Sequence, residues 1–355
     1  MNGITAYGAY IPRARLSKQS MAETNAWFDA GLKSLGKGER SICNWDEDTI
    51  TMAVEAASAC RAAMGEQSVS ALYLASTTFP FLDRQNSVLV AEALNMDRTL
   101  RTMDIGGSQR AATSALIALL EGSDETSALL VASEHRRSKA GSRAEMLWGD
   151  AAAAVAIGSD NVIAEVLGIE TLAVDFVDHY RGDKASFDYG WEDRWIRDEG
   201  FMKSVPTAVI ALFEKCSVSS EEIDYFILPT DQARTPMGLA RKLGIDGDAV
   251  VDNQISNVGV TGAAQSILLL VKTLEQAKAG DLILVTGFGQ GCDAILLRAT
   301  KAITDFKPAQ GVSSALAARR EETNYNKFLS FNNLIERETG KRGEVDKQTY
   351  LSGYN

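Results

Sequence analysis

The sequence predicts an α/β fold made of two similar halves, with helices and sheets layered in the order α-β-α-β-α. Three observations support this prediction. Short β-type runs alternate with helical patterns, one series of strands and helices occurs twice, and each copy contains a helix that is apolar on all sides. Because such a helix is buried all round, it needs a covering layer on every side.

The repeated series occupies comparable stretches of the two halves. In the first half, "ALYLASTT" (71–78) is followed by "DIGGSQRAATSALIALLEG" (104–122) and "SALLVASEH" (127–135). The second half carries "DYFILPTDQ" (224–232), "DNQISNVGVTGAAQSILLLVKTLEQA" (252–277) and "DLILVTGFGQG" (281–291). We therefore expect strand, helix, strand, helix and strand in each half, with domain bounds of 1–165, 166–302 and a C-terminal arm at 303–355.

The two middle helices begin with small residues and then become strongly apolar. Ala111 and Ala112 open the first, and Gly262, Ala263 and Ala264 open the second. Small side chains allow helix backbones to approach closely. The pattern therefore predicts that these helices pack against each other between two sheets.

Three further segments have patterns of their own. "DEDTITMAVEAASACRAAMG" (46–65) has acidic residues at its start and Gly65 at its end, which favours a helix. The segment 175–200 mixes aromatic, charged and glycine residues without periodicity, and we interpret it as an ordered excursion that covers a site or a partner. The polar arm at 303–355 is open to two interpretations, a terminal helix on its own domain or an arm that docks on another chain.

Composition and charge exclude several classes of function. The net charge of −11 opposes binding to nucleic acid or to an anionic membrane. The four cysteines are scattered and only two histidines exist, so we expect neither a metal site nor a disulfide framework. The N-terminus shows no basic and apolar leader pattern, and we expect a cytoplasmic protein.

Five motifs along residues 1–300 resemble the thiolase superfamily, closest to its hydroxymethylglutaryl-CoA synthase and ketoacyl synthase III branch. They are "GITAYGAYIPRARL", "NWDEDTITMAVEAA", "LWGDAAAAVAIG", "RWIRDEGFMKSVP" and "GFGQGCDAILLR". The resemblance implies a five-layer thiolase-like fold, action on acyl-CoA thioesters and a homodimer. The arm is similar to the tail of bacterial synthase-like proteins that work with a zinc-ribbon/OB-fold module, fused or separate.

The resemblance also places four family catalytic groups on this sequence, and all four are replaced. Active relatives carry a nucleophilic cysteine at the start of the first buried helix, and the family spacing from Asp104 puts Gln109 there. The family histidine matches Asp231 in "TDQA", and the asparagine matches Val260 in "VGVTG". The glutamate of hydroxymethylglutaryl-CoA synthases matches Thr77 in "STTFP".

Other residues near these positions are candidates for supporting roles. Ser108 is placed to cap the first buried helix, rather than to replace the nucleophile. Gly289 and Gly291 form the glycine turn that in the family donates backbone N–H groups to the thioester. Arg136 and Arg137 either meet the phosphates of coenzyme A or lie in a solvated loop. Cys292 follows the glycine turn, and we interpret it as a small buried side chain.

Three hypotheses of function follow. The leading one is a non-catalytic scaffold in an acyltransferase/thiolase complex, with a complete thiolase and a zinc-ribbon/OB-fold protein as partners and no tightly bound cofactor. The alternative is an active acyl-CoA acyltransferase, 3-oxoacyl or hydroxymethylglutaryl synthase-like, or a malonyl-thioester decarboxylase using Gln109. Against decarboxylation, Asp231 would add negative charge and Val260 donates no hydrogen bond. The third is a sensor that binds coenzyme A thioesters without turnover.

Overall fold

A computed structural model describes residues 2–65, 67–122 and 127–338. The strands of the first half are β1 (Gly3–Tyr10), β2 (Ala14–Ser17), β3 (Glu39–Ser41), β4 (Val69–Ala75), β5 (Arg101–Ile105), β6 (Ser127–Glu134) and β7 (Ala151–Gly158). Its helices are α1 (Lys18–Asn25), α2 (Thr49–Met64), α3 (Asn86–Ala93), α4 (Ala111–Leu120) and α5 (Arg143–Leu147).

The second half repeats the order of the main elements, with two short strands and a short helix inserted and a single bridge in the place of β5. Its strands are β8 (Ala164–Ala173), β9 (His179–Tyr180), β10 (Tyr189–Gly190), β11 (Tyr225–Ile227), β12 (Leu282–Phe288) and β13 (Gly291–Ala299). Its helices are α6 (Asp193–Trp195), α7 (Met202–Cys216), α8 (Thr235–Leu243) and α9 (Gln265–Leu274). The C-terminal segment contains α10 (Val312–Ala317), β14 (Arg320–Glu322) and α11 (Tyr325–Phe331).

The two halves share one strand topology. The first half has the order β1-β7-β6-β4-β5, and the second has β8-β13-β12-β11. A single parallel bridge between Phe226 and Val250 stands where the first half has β5. The two sets join into one nine-stranded sheet through a short pairing of β1 with β8 at Gly3 and Ile4.

The core confirms the predicted layers. Helices α4 and α9 contact each other and also contact strands of both halves, so they form the middle layer. Helix α2 packs on the outer face of the first half, and α7 packs on the outer face of the second. Every residue of α9 except Lys272 is buried, as its apolar sequence requires.

Two predicted elements are shorter than expected. The acidic residues before α2 lie outside the helix, and Asp48 caps it by accepting a hydrogen bond from the Thr51 N–H at 2.8 Å. The segment 224–232 leaves the sheet after Ile227 because Asn253 takes over its backbone bonds. The Asn253 amide donates to the Leu228 carbonyl at 2.9 Å and accepts from the Thr230 N–H at 3.3 Å.

The described part of the C-terminal segment packs on the chain itself. Tyr325, Phe328 and Leu329 are buried in a cluster with Leu16 and Met21. The remaining part of the predicted arm, 339–355, lies outside the described residues. Among the helices that the structure describes, none combines the length and hydropathy needed to cross a membrane.

Candidate active site

Two neighbouring cavities lie where the two halves meet. The first, of about 230 Å³, is lined by residues that include Gln109, Arg136, Asp231 and Val260. The second, also of about 230 Å³, is lined by residues that include Thr77, Gln109 and Gly289. The fold thus brings Gln109, Asp231, Val260 and Arg136 together, and it places Thr77 and Gly289 on the other side of Gln109.

Gln109 stands in the turn between β5 and α4. Gly107 has φ +80°, a conformation that side-chain-bearing residues rarely adopt, and it turns the chain towards the helix. Ser108 then donates a hydrogen bond to the Gly289 carbonyl at 2.9 Å and accepts one from the Arg110 N–H at 3.3 Å. The N-cap of α4 is Arg110, which makes no side-chain cap bond, so Ser108 supports the turn before the helix and is not the cap that the sequence predicts.

A buried carboxylate fixes the start of α4 against β13. Asp293 accepts hydrogen bonds from the Arg110 guanidinium at 2.7 Å, from the Thr113 hydroxyl at 2.8 Å and from the Ser114 hydroxyl at 2.7 Å. A fourth donor, the Thr171 hydroxyl on β8, lies 3.2 Å from the same carboxylate. Because the other three donors belong to the first turn of α4 or its flank, this network also fixes the backbone at Gln109. The sequence analysis did not identify Asp293 as part of the site.

The excursion at 175–200 supplies a second side chain at Gln109. His179 Nε2 lies 3.2 Å from Gln109 Nε2, and His179 Nδ1 lies 2.8 Å from Asp178 Oδ1. Burial raises the pKa of Asp178, but His179, Arg136 and a backbone N–H together lower it by more, so the net shift is below the ordinary value. Asp178 and His179 line both cavities, so the excursion lies beside the candidate site, and its role as a cover for a site or a partner stays a prediction.

A network of charges holds the excursion in place. Asp188 accepts hydrogen bonds from Arg136 at 2.8 Å and from Arg181 at 2.7 Å. The Arg136 guanidinium also lies 3.5 Å from the centre of the Trp148 ring, which favours a cation–π contact. Arg136 is therefore buried and fixed in the cavity wall. Arg137 points elsewhere, because it is exposed and donates to the Asn332 carbonyl at 3.2 Å.

Asp231 lies in an environment that opposes its charge. Burial raises the pKa of this carboxyl above its ordinary value, and the negative charges of Asp178 and Asp193 raise it further. The pKa of Asp231 therefore lies above that of an ordinary exposed carboxyl, and protonation, which would make the group a hydrogen-bond donor, costs less than it does in water. Val260 offers only an apolar surface beside it.

Thr77 is tied to a carboxylate that the sequence analysis missed. Its hydroxyl donates to Glu134 Oε1 at 3.1 Å. Glu134 is fully buried and also accepts from the Ala263 N–H at 3.0 Å, at the start of the second middle helix. Glu134 therefore links the first half to the helix start of the second half. Its position at the end of β6 gave no local signal for this role.

The cysteines do not line the cavities. All four lie in the described part of the chain, and none of them lines either cavity. Burial raises the pKa of the thiols of Cys43, Cys60 and Cys292, so none of these is prepared to act as a thiolate. The interpretation of Cys292 as a small buried side chain is confirmed.

The fold also assembles a donor cluster that sequence spacing does not show. Cys43, His135 and Asp150 offer sulfur, nitrogen and oxygen atoms within 4.8 Å of one another. His135 Nδ1 lies 3.2 Å from Asp150 Oδ1, so these two side chains form an ion pair when the ring is protonated. The sequence expectation of no metal-type cluster considered only residues near in the chain.

Comparisons with known proteins agree on one family. Residues 213–298 match the family model described as 3-oxoacyl-[acyl-carrier-protein (ACP)] synthase III C terminal. The chain is 31% identical over 336 residues to hydroxymethylglutaryl-CoA synthase of Aeropyrum pernix, with 92% of each chain covered.

Two solved structures share the fold. The structure of MvaS in complex with 3-hydroxy-3-methylglutaryl coenzyme A has a TM-score of 0.80 at 18% identity, covering 96% of this chain and 94% of that one. The structure of 3-oxoacyl-(acyl carrier protein) synthase III from Pseudomonas aeruginosa has a TM-score of 0.74 at 24% identity, covering 84% of this chain and 98% of that one.

Proposed function

Because this chain belongs to the hydroxymethylglutaryl-CoA synthase family, we propose that it acts on a coenzyme A thioester bound beside Gln109. We propose further that it does so without forming an acyl–enzyme bond. The related MvaS structure holds 3-hydroxy-3-methylglutaryl coenzyme A, which supports a thioester as the ligand class. The observation that carries the proposal is the cavity at the start of α4, which is lined by a carboxamide and by no thiol.

The Gln109 side chain suits binding better than attack. A carboxamide is no nucleophile towards a thioester, but its N–H group can donate a hydrogen bond to a carbonyl oxygen. We infer that Gln109 occupies the position where active relatives carry the cysteine, since it lies two residues before the first middle helix. A donor there would stabilise negative charge that develops on the thioester oxygen.

The reaction that needs such a donor and no nucleophile is the formation of a thioester enolate. Decarboxylation of a malonyl-type thioester breaks one carbon–carbon bond and leaves the electron pair in the enolate. The objection that Asp231 adds negative charge is weakened, because its raised pKa favours the neutral form. A neutral Asp231 would add a second donor beside Gln109.

The second candidate is a non-catalytic scaffold for a thiolase and a zinc-ribbon/OB-fold partner. It is favoured by Val260, whose side chain donates nothing, and by the absence of a thiol from the lining of either cavity in the described structure. Under this candidate the cavity binds a coenzyme A thioester, and turnover appears only when the partner thiolase is added.

The test is incubation of the pure chain with malonyl-CoA. We expect release of carbon dioxide, formation of acetyl-CoA and an unchanged intact protein mass. Gln109→Ala is expected to lower the rate by about 10²–10³-fold, as for loss of one oxyanion donor. The matched control is Gln19→Ala, which removes an exposed glutamine that bonds only Glu23 in its own helix.

Two outcomes would overturn the proposal. An acyl group found on the protein during turnover would show that some nucleophile has been overlooked. If calorimetry shows tight thioester binding but the pure chain forms no product, the scaffold candidate is supported and the enzyme proposal is wrong.

A further inference from the structure

We infer that His179, oriented by Asp178, is the acid–base group of this site and exchanges a proton with the α-carbon of a bound thioester. This inference rests on the proposed function and extends it. The family histidine position carries Asp231, so the proton-transfer group comes from a different element, the β9–β10 excursion.

The hydrogen bonds around His179 define its tautomer. Asp178 Oδ1 lies 2.8 Å from His179 Nδ1 and also accepts from the His179 backbone N–H at 2.9 Å. A carboxylate at Nδ1 holds the proton of the neutral ring on that nitrogen. The lone pair of Nε2 then faces the Gln109 amide, whose nitrogen is a donor at 3.2 Å.

This arrangement is that of a base held by a carboxylate. The orienting group binds one ring nitrogen, and the other nitrogen faces the place where the substrate reacts. The Gln109 amide lies beside the free nitrogen, so the group that holds the thioester oxygen and the group that moves the proton are neighbours. A thioester carbonyl placed between the Gln109 amide and His179 Nε2 would lie within reach of both groups.

The position of His179 allows access and stabilises the charged ring. Its side chain is 15% exposed and lines both cavities, so a ligand can approach Nε2 from either side. Asp188 lies 3.8 Å from Nε2 and favours the imidazolium once it forms. Arg136 and Arg181 both bind Asp188 and moderate this effect.

Two further carboxyls, those of Asp193 and Asp231, line the first cavity with His179. Asp231 lines the first cavity together with Asp178 and His179. The charge of Asp178 contributes to the raised pKa of Asp231, so these carboxyls sense each other's charge.

The proposed steps balance in atoms and charge. A thioester with a carboxylate on its α-carbon loses carbon dioxide, and the electron pair of the broken bond forms the enolate, whose oxygen accepts from Gln109. The imidazolium of His179 then delivers the Nε2 proton to the α-carbon. The neutral ring regains a proton from water, so one thioester and one proton yield the decarboxylated thioester and carbon dioxide.

The same group must work in reverse on the product. Neutral His179 would remove an α-proton from acetyl-CoA, giving the enolate and an imidazolium. In deuterium oxide this exchange introduces deuterium into the acetyl methyl group. Exchange requires the base, whereas release of carbon dioxide does not.

The experiment compares His179→Ala with the wild-type chain in both assays. Deuterium exchange into acetyl-CoA is expected to fall by about 10²–10⁴-fold, whereas release of carbon dioxide from malonyl-CoA falls less. Added imidazole is expected to restore exchange in the variant, because it fits the space left by the ring. The control Tyr189→Ala removes an exposed ring that contacts the Tyr180 ring at a tilted angle in the same excursion, and we expect both rates to stay within about twofold.

The outcomes separate the inference from the function on which it rests. If wild-type chain releases carbon dioxide and His179→Ala exchanges deuterium equally fast, the inference is overturned and the proposed function stands. If both rates fall together and imidazole restores neither, His179 has only a structural role and the inference is again overturned. If the wild-type chain shows neither activity, the enzyme proposal fails and the inference fails with it.

Discussion

Replacing Asp293 with alanine should destabilise the protein far more than breaking an exposed ion pair of the same length. Asp293 is fully buried on β13. Its partner Arg110 is only 16% exposed at the side chain. Removing the carboxylate leaves this cation without its partner, together with the Ser114 hydroxyl. Breaking a buried pair in this way costs about 3–5 kcal/mol of the free energy of unfolding.

The estimate stays in that range because part of the network can compensate. The Thr113 hydroxyl also lies 2.9 Å from the Arg110 carbonyl, so it keeps an acceptor when Asp293 is removed. Each buried polar group that loses its partner costs about 1–3 kcal/mol. Arg110 and Ser114 are the groups that lose most.

The matched control is the exposed pair Arg298–Glu165. Its nitrogen–oxygen distance is 2.6 Å, and its side chains are 48% and 35% exposed. Water and salt screen such a pair, so Glu165→Ala is expected to cost about 0–1 kcal/mol. The comparison therefore holds distance and charge constant and varies burial.

The assay is urea unfolding of both variants followed by circular dichroism. The Asp293→Ala midpoint should fall clearly below that of Glu165→Ala, with similar slopes. Asp293→Asn should lie between, since it retains one acceptor oxygen. Equal midpoints for the two alanine variants would refute the reasoning that burial decides the contribution of this carboxylate.

Two further predictions concern backbone space and pH. Gly291→Ala should destabilise the fold by roughly 2–5 kcal/mol, because Gly291 has φ +110° and a Cβ there would lie 1.8 Å from the Leu172 carbonyl oxygen. Gly238→Ala, in open space within α8, should instead raise stability by about 0.5–1 kcal/mol; thermal unfolding that ranks the two variants otherwise would contradict this. Burial lowers the pKa of Lys18 from 10.5 to about 8, so the unfolded chain binds more protons between these values. As the pH rises across that interval, this group should therefore increase the free energy of unfolding by up to about 3 kcal/mol. Urea unfolding of the wild-type chain and of Lys18→Met should show this as a difference in stability that grows with pH. A difference that is independent of pH would exclude the effect.

The fold was largely predictable because its signals are local. Periodic apolar residues identify α4 and α9 as buried helices, and the repeated order of elements identifies the two halves. The end of β11 was predictable in part. Pro229 has no N–H to donate to a sheet and gives a local signal close to that end, but the hydrogen bonds of Leu228 and Thr230 with the distant Asn253 side chain do not follow from the local sequence.

The candidate site was predictable in part. Gln109, Asp231 and Val260 each lie next to an element of the repeat, and the fold brings them to one cavity. The sequence did not predict that His179 lies at this cavity, because His179 belongs to a segment without periodicity. Its closeness to Gln109, 70 positions away in the chain, depends on how the excursion folds back over the two halves.

By itself, the sequence determined which chemical groups this protein can bring to its site. It determines that a carboxamide stands near the start of the first middle helix and that the two middle helices are apolar and buried. Side-chain identity and apolar periodicity are local properties of the chain. Only the tertiary structure decided the ionisation of those groups and their partners. The raised pKa of Asp231, the contact of His179 with Gln109 and the cluster of Cys43, His135 and Asp150 all depend on burial and distance between remote segments, which no local pattern encodes.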